Sequence, residues 1–315
     1  LFNNDDSGPI RVIKIKNNSS KVKKLANNSL VIYGDITKNL ANGDSGLDEL
    51  SKHYLNILYG KTNLDDYSKL SRMFGLARDK FDIIISHMAI DSVFSSKDSV
   101  EGFVINLYEN LKENGVFIGT CLDGKRVLNA LKKGETTSSK SGKRKYIQAN
   151  TFIPASESPE KSKKSSKSSK SNKTSKLDIP NKSGLIWKII QNYDTVKSIS
   201  DDETSLGMEI GFQTELLAGE VKQYLVNFEY FTKLLVQYDI QLVDSKYFDE
   251  ELGSYLNSFK AHNSESYEDI NTDNFKQFVS FHRWFIFIKK ADIRDNPTLI
   301  GELGYDENND ANNNS

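Results

Sequence analysis

The sequence predicts an α/β fold: a mostly parallel sheet of the Rossmann-like kind, finished by an antiparallel last strand. Three observations carry that prediction. "NSLVIYGD" and "FDIIIS" are short runs rich in Ile and Val between polar residues, the pattern of strands buried on both faces. "DSVEGFVINLYENLKENG" then places Val100, Phe103, Val104, Leu107, Tyr108 and Leu111 on one helical face, with Asn114-Gly115 as the stop signal. "VFIGTC" follows as a further buried strand, and strand, helix, strand is the parallel unit of such sheets.

The first two strands are separated by a stretch long enough for a helical crossover. Later in the chain, "LIWKIIQNYD" and "LGMEIGFQ" have strand length and suit an antiparallel pair. In "EVKQYLVNFEYFTKLLVQYDIQLVD", Val221, Tyr224, Leu225, Phe228, Phe231 and Leu235 predict one helical stripe, followed by a strand at 241–243. "HRWFIFIKK", residues 282–290, is the expected last strand.

Composition sets the limits. The 315 residues are 37% hydrophobic and 27% charged, with a formal net charge of -1, so a real core is affordable and neither sign dominates the whole chain. The Lys/Ser-rich run at 158–184 has too little apolar surface to offset its ordering entropy and reads as a disordered insertion. We expect a partial core over 1–133, the insertion over 134–182, the rest of the core over 183–300 and a disordered Asn-rich tail over 301–315. Without insertion and tail, about 250 residues are left, near the upper size of a single domain.

Cys121 is the only cysteine, which excludes a disulfide framework and Cys-rich zinc sites and suits a reducing compartment. No apolar run approaches the roughly 18 residues of a membrane span, and no secretory signal pattern is present, so the expected setting is cytoplasmic, without a membrane partner.

In open sheets of this kind, ligands lie beyond the carboxyl ends of the strands. Two loops qualify: Gly34-Asp35-Ile36 after the first strand and His87-Met88-Ala89 after the second. Each has a plainer explanation. Asp after a strand is often a turn or cap residue, and a loop His is often just hydrogen-bonded.

With these residues in order, the chain resembles the mRNA cap guanine-N7 methyltransferases, in particular those encoded by large DNA viruses. The matching runs are "YGDITKNL", "FDIIISHMAI", "NLYENLKENGVFIGTCLDGKRV", "DDETSLGMEIGFQ", "EVKQYLVNFEYFTKLLVQYDIQLV" and "FHRWFIFIKK", along roughly residues 10 to 290 apart from the insertion. "GVFIGTCLDGKRV" and "QYLVNFEYFTKLL" are the specific ones. The resemblance implies a class I methyltransferase fold, S-adenosylmethionine as methyl donor, capped RNA as acceptor, other capping domains or subunits as partners, and host cytoplasm or virion as location.

The chemistry it implies needs no catalytic side chain and no metal. Guanine N7 carries a free lone pair and the sulfonium has a good leaving group, so alignment is the task, with orientation contributing roughly 7 to 11 kcal/mol. By the resemblance, Asp35 accepts from the adenine amine, Ile36 packs near the ring, and Ser86, His87 and Met88 line the donor. Where the family typically has a Gln-Phe-Ala-Ile-His-Tyr-like run, this chain has His87, Met88, Ala89, Ile90, Asp91 and Ser92.

Asp91, Ser92, Gln223 and His282 fall at the cap-contacting positions, with Gln223 where the family commonly has Glu. An amide is a weaker acceptor than a carboxylate, so weaker cap binding follows. The family's glycine-rich loop precedes the matched region and is not found here. Together with a first residue that is Leu, this points to a chain whose first strand and loop lie upstream. The substitutions also admit a non-catalytic paralogue serving as a capping partner or RNA-binding subunit, or a methyltransferase with another acceptor.

Overall fold

The computed structural model describes residues 30–62, 68–139, 142–150, 185–194, 198–214, 217, 219–262 and 271–291. The expected tail, the whole Lys/Ser run and everything before residue 30 lie outside the described residues.

A four-stranded sheet carries the core, in the order β1 (Phe81–His87), β2 (Leu111–Leu122), β9 (His282–Lys289), β8 (Ile240–Tyr247). β1 and β2 are parallel, and β9 lies antiparallel between β2 and β8. Three of the four strands therefore share a direction and the last one opposes them, as the sequence predicts.

Helix α1 (Glu49–Leu58) precedes β1. Helix α2 (Lys97–Asn110) crosses from β1 to β2 and presents Val100, Phe103, Val104 and Leu107 to the sheet. α4 (Phe228–Val236) adds Phe228, Phe231, Leu234 and Leu235 to the same core cluster. These meet Phe117, Phe285 and Phe287, with the rings of Phe117 and Phe285 5.4 Å apart. Gly119 is required beneath this layer, because a Cβ there would lie 2.2 Å from the Phe285 ring.

The sheet's other face is barely covered at β1, where Ile83 and Ile85 are 57% and 70% exposed. The pattern of a strand buried on both faces is thus fulfilled on one face only.

A second sheet, antiparallel throughout, follows the order β3 (Glu135–Ser139), β4 (Gly142–Asn150), β5 (Leu185–Gln191), β6 (Glu209–Thr214), β7 (Val221–Tyr224). The β5–β6 pair is the one expected from sequence. Ala149, Trp187, Ile189 and Ile210 of this sheet pack with Val127, Leu128 and Leu131 of α3 (Gly124–Lys133) and with Phe281. α5 (Phe248–His262) and α6 (Asp273–Ser280) fill the stretch between β8 and β9, which the sequence reading left without elements.

Four expectations are corrected. "NSLVIYGD" makes no strand over its described residues: Tyr33 donates its N–H to Ser51 Oγ and Gly34 forms only an isolated bridge to Gly46. The 134–182 insertion begins too early, since β3 and β4 pair with each other and β4 pairs with β5. Ile147 and Ala149 alternate inward there, next to a run of lysines and arginine whose composition hid the pattern.

The stripe from Val221 is split, because β6 offers an edge to β7 and Asn227 then caps α4 by accepting from the Tyr230 N–H. Helix α2 stops at Asn110, not at Asn114-Gly115. Lys289 Nζ donates to Tyr108 O at 2.6 Å and to Leu111 O at 3.2 Å, taking carbonyls that close the helix, and β2 pairs from Leu111.

Candidate functional site

The carboxyl ends of β1 and β2 and the amino end of β9 form one rim, and the second sheet leans onto it. Asp123 follows β2, bridges Val226, and accepts from the α3 N–H of Arg126 at 2.9 Å, so the strand end, α3 and the exit of β7 are tied at one point. The adjoining Gly124 N–H donates to Val226 O at 2.9 Å.

His87 and Met88 sit at the tip of β1. Thr120 on the neighbouring strand holds both: its hydroxyl lies 2.8 Å from His87 Nδ1, and the Met88 N–H reaches Thr120 O at 3.1 Å and Oγ1 at 3.0 Å. Met88 has φ of 51°, a left-handed conformation that costs a non-glycine residue about 1–2 kcal/mol and is held here by those two acceptors. Ser86, one residue earlier, is buried.

The 3-10 turn Ile90–Ser95 follows and packs along β7. The Gly207 N–H donates to Phe94 O at 2.9 Å, which holds the approach to β6 against the same turn. Asp91 and Gln223, 132 positions apart in sequence, thereby come onto neighbouring elements. Both are buried or half-buried acceptors. Gln223 Oε1 is buried without a hydrogen-bond partner. Asp91 is 5% exposed, and burial pushes its carboxyl up to about 6 against the pull of its own backbone N–H. Among the described residues no cation pairs with it. Ser92 closes the turn by donating to Ala89 O.

His282, placed at a cap-contacting position by the resemblance, is packed into the rim. It is buried, its ring stands 4.6 Å from that of Phe278 in an edge-to-face pair, and Nδ1 donates to Phe278 O at 2.8 Å. Burial lowers its pKa to about 4, so the ring is neutral and Nε2 is left as an acceptor near His87.

Asp35 and Ile36 are positioned separately, by α2. Asn106 donates to Ile36 O at 2.8 Å and Lys38 O at 2.7 Å and accepts from the Leu40 N–H at 3.1 Å, clamping the loop to the helix. Gly102 permits the approach, since a Cβ there would meet Thr37 O at 2.1 Å. Asp35 Oδ1 already accepts from the Thr37 N–H at 2.9 Å and its hydroxyl at 2.7 Å, an Asx turn, which is the plain role foreseen for an Asp after a strand. Ile36 packs on the first core cluster and Met88 on the second.

Replacing Asn106 by Ala orphans three backbone groups, and the expected result is amide exchange of residues 36–40 accelerated by roughly tenfold or more, about 1–2 kcal/mol of local stability. Hydrogen exchange at those amides measures it.

The sequence reading missed two features. One is the Asp123–Arg283 pair beneath the rim, 3.0 Å from Arg283 Nη2 to Asp123 Oδ2. The other is Thr120 as the anchor of the His87-Met88 turn; a Thr at the end of an apolar strand was the available signal.

No family model matches the chain, and no curated protein matches it. Among solved structures the chain resembles an S-adenosylmethionine-dependent methyltransferase from Clostridium acetobutylicum, at 11% identity and a TM-score of 0.28, over 67% of this chain and 59% of that one. It also resembles the CcbJ methyltransferase from Streptomyces caelestis, at 9% identity and a TM-score of 0.29, over 74% of this chain and 62% of that one. The chain spans less than two thirds of the length of either structure.

Proposed function

We propose that the parent protein methylates guanine N7 of an RNA 5' cap, with S-adenosylmethionine as donor. The observation that carries this reading is Gln223 Oε1, buried without a hydrogen-bond partner on the strand packed beside the turn that holds the buried Asp91 carboxyl. Guanine presents N1–H and the exocyclic amine, donors that such a pair satisfies, and a buried acceptor left without a donor costs about 1–3 kcal/mol until a ligand arrives.

For the donor, the fit is split between two places. Ser86, His87 and Met88 at the end of β1 are suited to its sulfonium end, and Asp35 and Ile36 to its adenine. At Asp35, Oδ1 is engaged with Thr37, which leaves Oδ2 free for the adenine amine. When bound, S-adenosylmethionine supplies an electrophilic methyl group; the protein's residues orient, and no side chain is required to move a proton.

Methyl transfer to GpppRNA by the parent protein, with 7-methylguanine as product, is the test. Gln223→Glu is expected to lower KM for capped RNA roughly tenfold by giving the amine a charged acceptor. Binding of S-adenosylmethionine without methylation of any cap would instead identify a non-catalytic capping partner.

A further inference from the structure

Gln223 Oε1 has a counterpart in the second sheet: the hydroxyl of Tyr193, two residues beyond β5, is also buried without a hydrogen-bond partner. The two side chains belong to one face. The β5–β6 and β6–β7 registers set Gln191, Ile210 and Gln223 in a cross-strand row. Pairing continues past the strand ends, since the Asn192 N–H donates to Glu209 O and the Leu225 N–H to Met208 O, each at 3.0 Å. Tyr193, Met208 and Leu225 are therefore the next row on that face. Packing agrees, because Met208, Ile210 and Leu225 belong to the core cluster beneath α3 and Tyr193 lies against it.

Tyr193 and Gln223 stand at diagonal corners of this block. Two strand spacings and two residues separate them, about 12 Å between Cα atoms, with Met208 and Ile210 of the middle strand in between. Gln191 Nε2 donates to Tyr193 O at 2.9 Å and so fixes the chain as it leaves β5. Burial pushes the Tyr193 hydroxyl up to about 12, which keeps it a donor across the neutral range. Met88 packs on the same cluster and ties the block to the tip of β1.

We infer that Tyr193 is a specificity residue of the acceptor site, its hydroxyl donating to the six-carbonyl of guanine while Gln223 accepts from the N1–H or the exocyclic amine. The pairing edge of guanine has an acceptor at one end and donors at the other, whereas adenine carries an amine in place of the carbonyl. A donor held opposite an acceptor therefore selects guanine. Met208 and Ile210 give the base an apolar floor, and it is admitted as the side chains shielding the two polar atoms turn aside. The choice of guanine rests on the cap-methylation reading.

Methyl transfer by the complete protein to RNAs capped with guanosine, inosine or 2-aminopurine riboside tests the assignment. Inosine lacks the amine and 2-aminopurine lacks the six-carbonyl. Tyr193→Phe is expected to raise KM for the guanosine cap roughly tenfold and to shrink the preference for guanosine over 2-aminopurine by the same factor. The preference for guanosine over inosine, KM for S-adenosylmethionine and the melting temperature should match the parent's, because the hydroxyl has no partner in the fold to lose.

A Tyr193→Phe protein with the parent's KM and preferences overturns the inference and leaves the cap reading standing. Equal loss on all three caps with a lowered melting temperature assigns the hydroxyl to packing and overturns it as well. A parent protein that methylates none of the three caps removes the cap reading, and the role of Tyr193 falls with it.

Discussion

Arg283→Ala is expected to remove about 3–5 kcal/mol of stability, the range for breaking a buried ion pair from one side. Asp123 is 1% exposed. One of its oxygens caps α3, and the other accepts from Arg283 Nε at 3.1 Å and lies 3.0 Å from Nη2. The guanidinium also donates to Ser245 Oγ and the Tyr247 hydroxyl and lies 4.4 Å from the centre of the Phe228 ring.

Truncating the arginine strands the carboxylate under the rim and opens a cavity against Phe228. Chemical denaturation reads the loss. Arg283→Met combined with Asp123→Asn should cost less than the two single changes summed, since the stranded charge is then gone. A loss below about 1 kcal/mol for Arg283→Ala would mean that water reaches Asp123.

Asp91→Asn is expected to act in the opposite direction on stability while damaging function. Its carboxyl titrates near 3.8 when exposed and at about 6 in the fold, so the folded state holds the proton more tightly than the unfolded one. The penalty is therefore absent below about pH 3.8, grows as pH rises to about 6, and is complete above that, reaching about 3 kcal/mol. An amide at this position does not ionise. The variant should be more stable than the parent by about 2–3 kcal/mol at pH 8 and by nothing measurable at pH 3.5, as melts across pH would report.

Affinity for capped RNA should fall in the same variant, because a charge-assisted acceptor is exchanged for a neutral one. A stability profile parallel to the parent's at every pH would show that Asp91 is already compensated. A buried charge kept at a cost in stability, on the turn packed against the strand that carries the unpartnered Gln223 Oε1, suits the donors of a ligand.

Much of the core was legible in the residues. "FDIIIS" and "VFIGTC" are strands, the residues between them form the crossover helix, and "HRWFIFIKK" is the opposed last strand, because β-branched runs and a 3.6 period are local signals. Boundaries were not legible where a partner decides them. The end of α2 depends on an amine from β9, 179 positions beyond Asn110. β7 depends on a free edge at β6, since "VKQYL" satisfies a helical stripe and a strand equally well.

Of the candidate site, the residues themselves came from sequence, and their company came from the fold. His87 and Met88 could be placed in a loop by pattern alone, but that Thr120 holds them follows from the β1–β2 register. Gln223 and Asp91 come onto neighbouring elements because β7 of the second sheet packs against the turn that follows β1. His282 was read as a ligand contact, and packing against Phe278 makes it a buried, neutral member of the rim.

The chain by itself determined the α/β class, the crossover and the identity of the polar residues at the strand ends, since alternation and helical spacing are written into near neighbours. The tertiary structure alone decided which buried polar atoms lack a partner. Burial and pairing are properties of residues far apart in sequence, and they acquire values only once the two sheets are packed together.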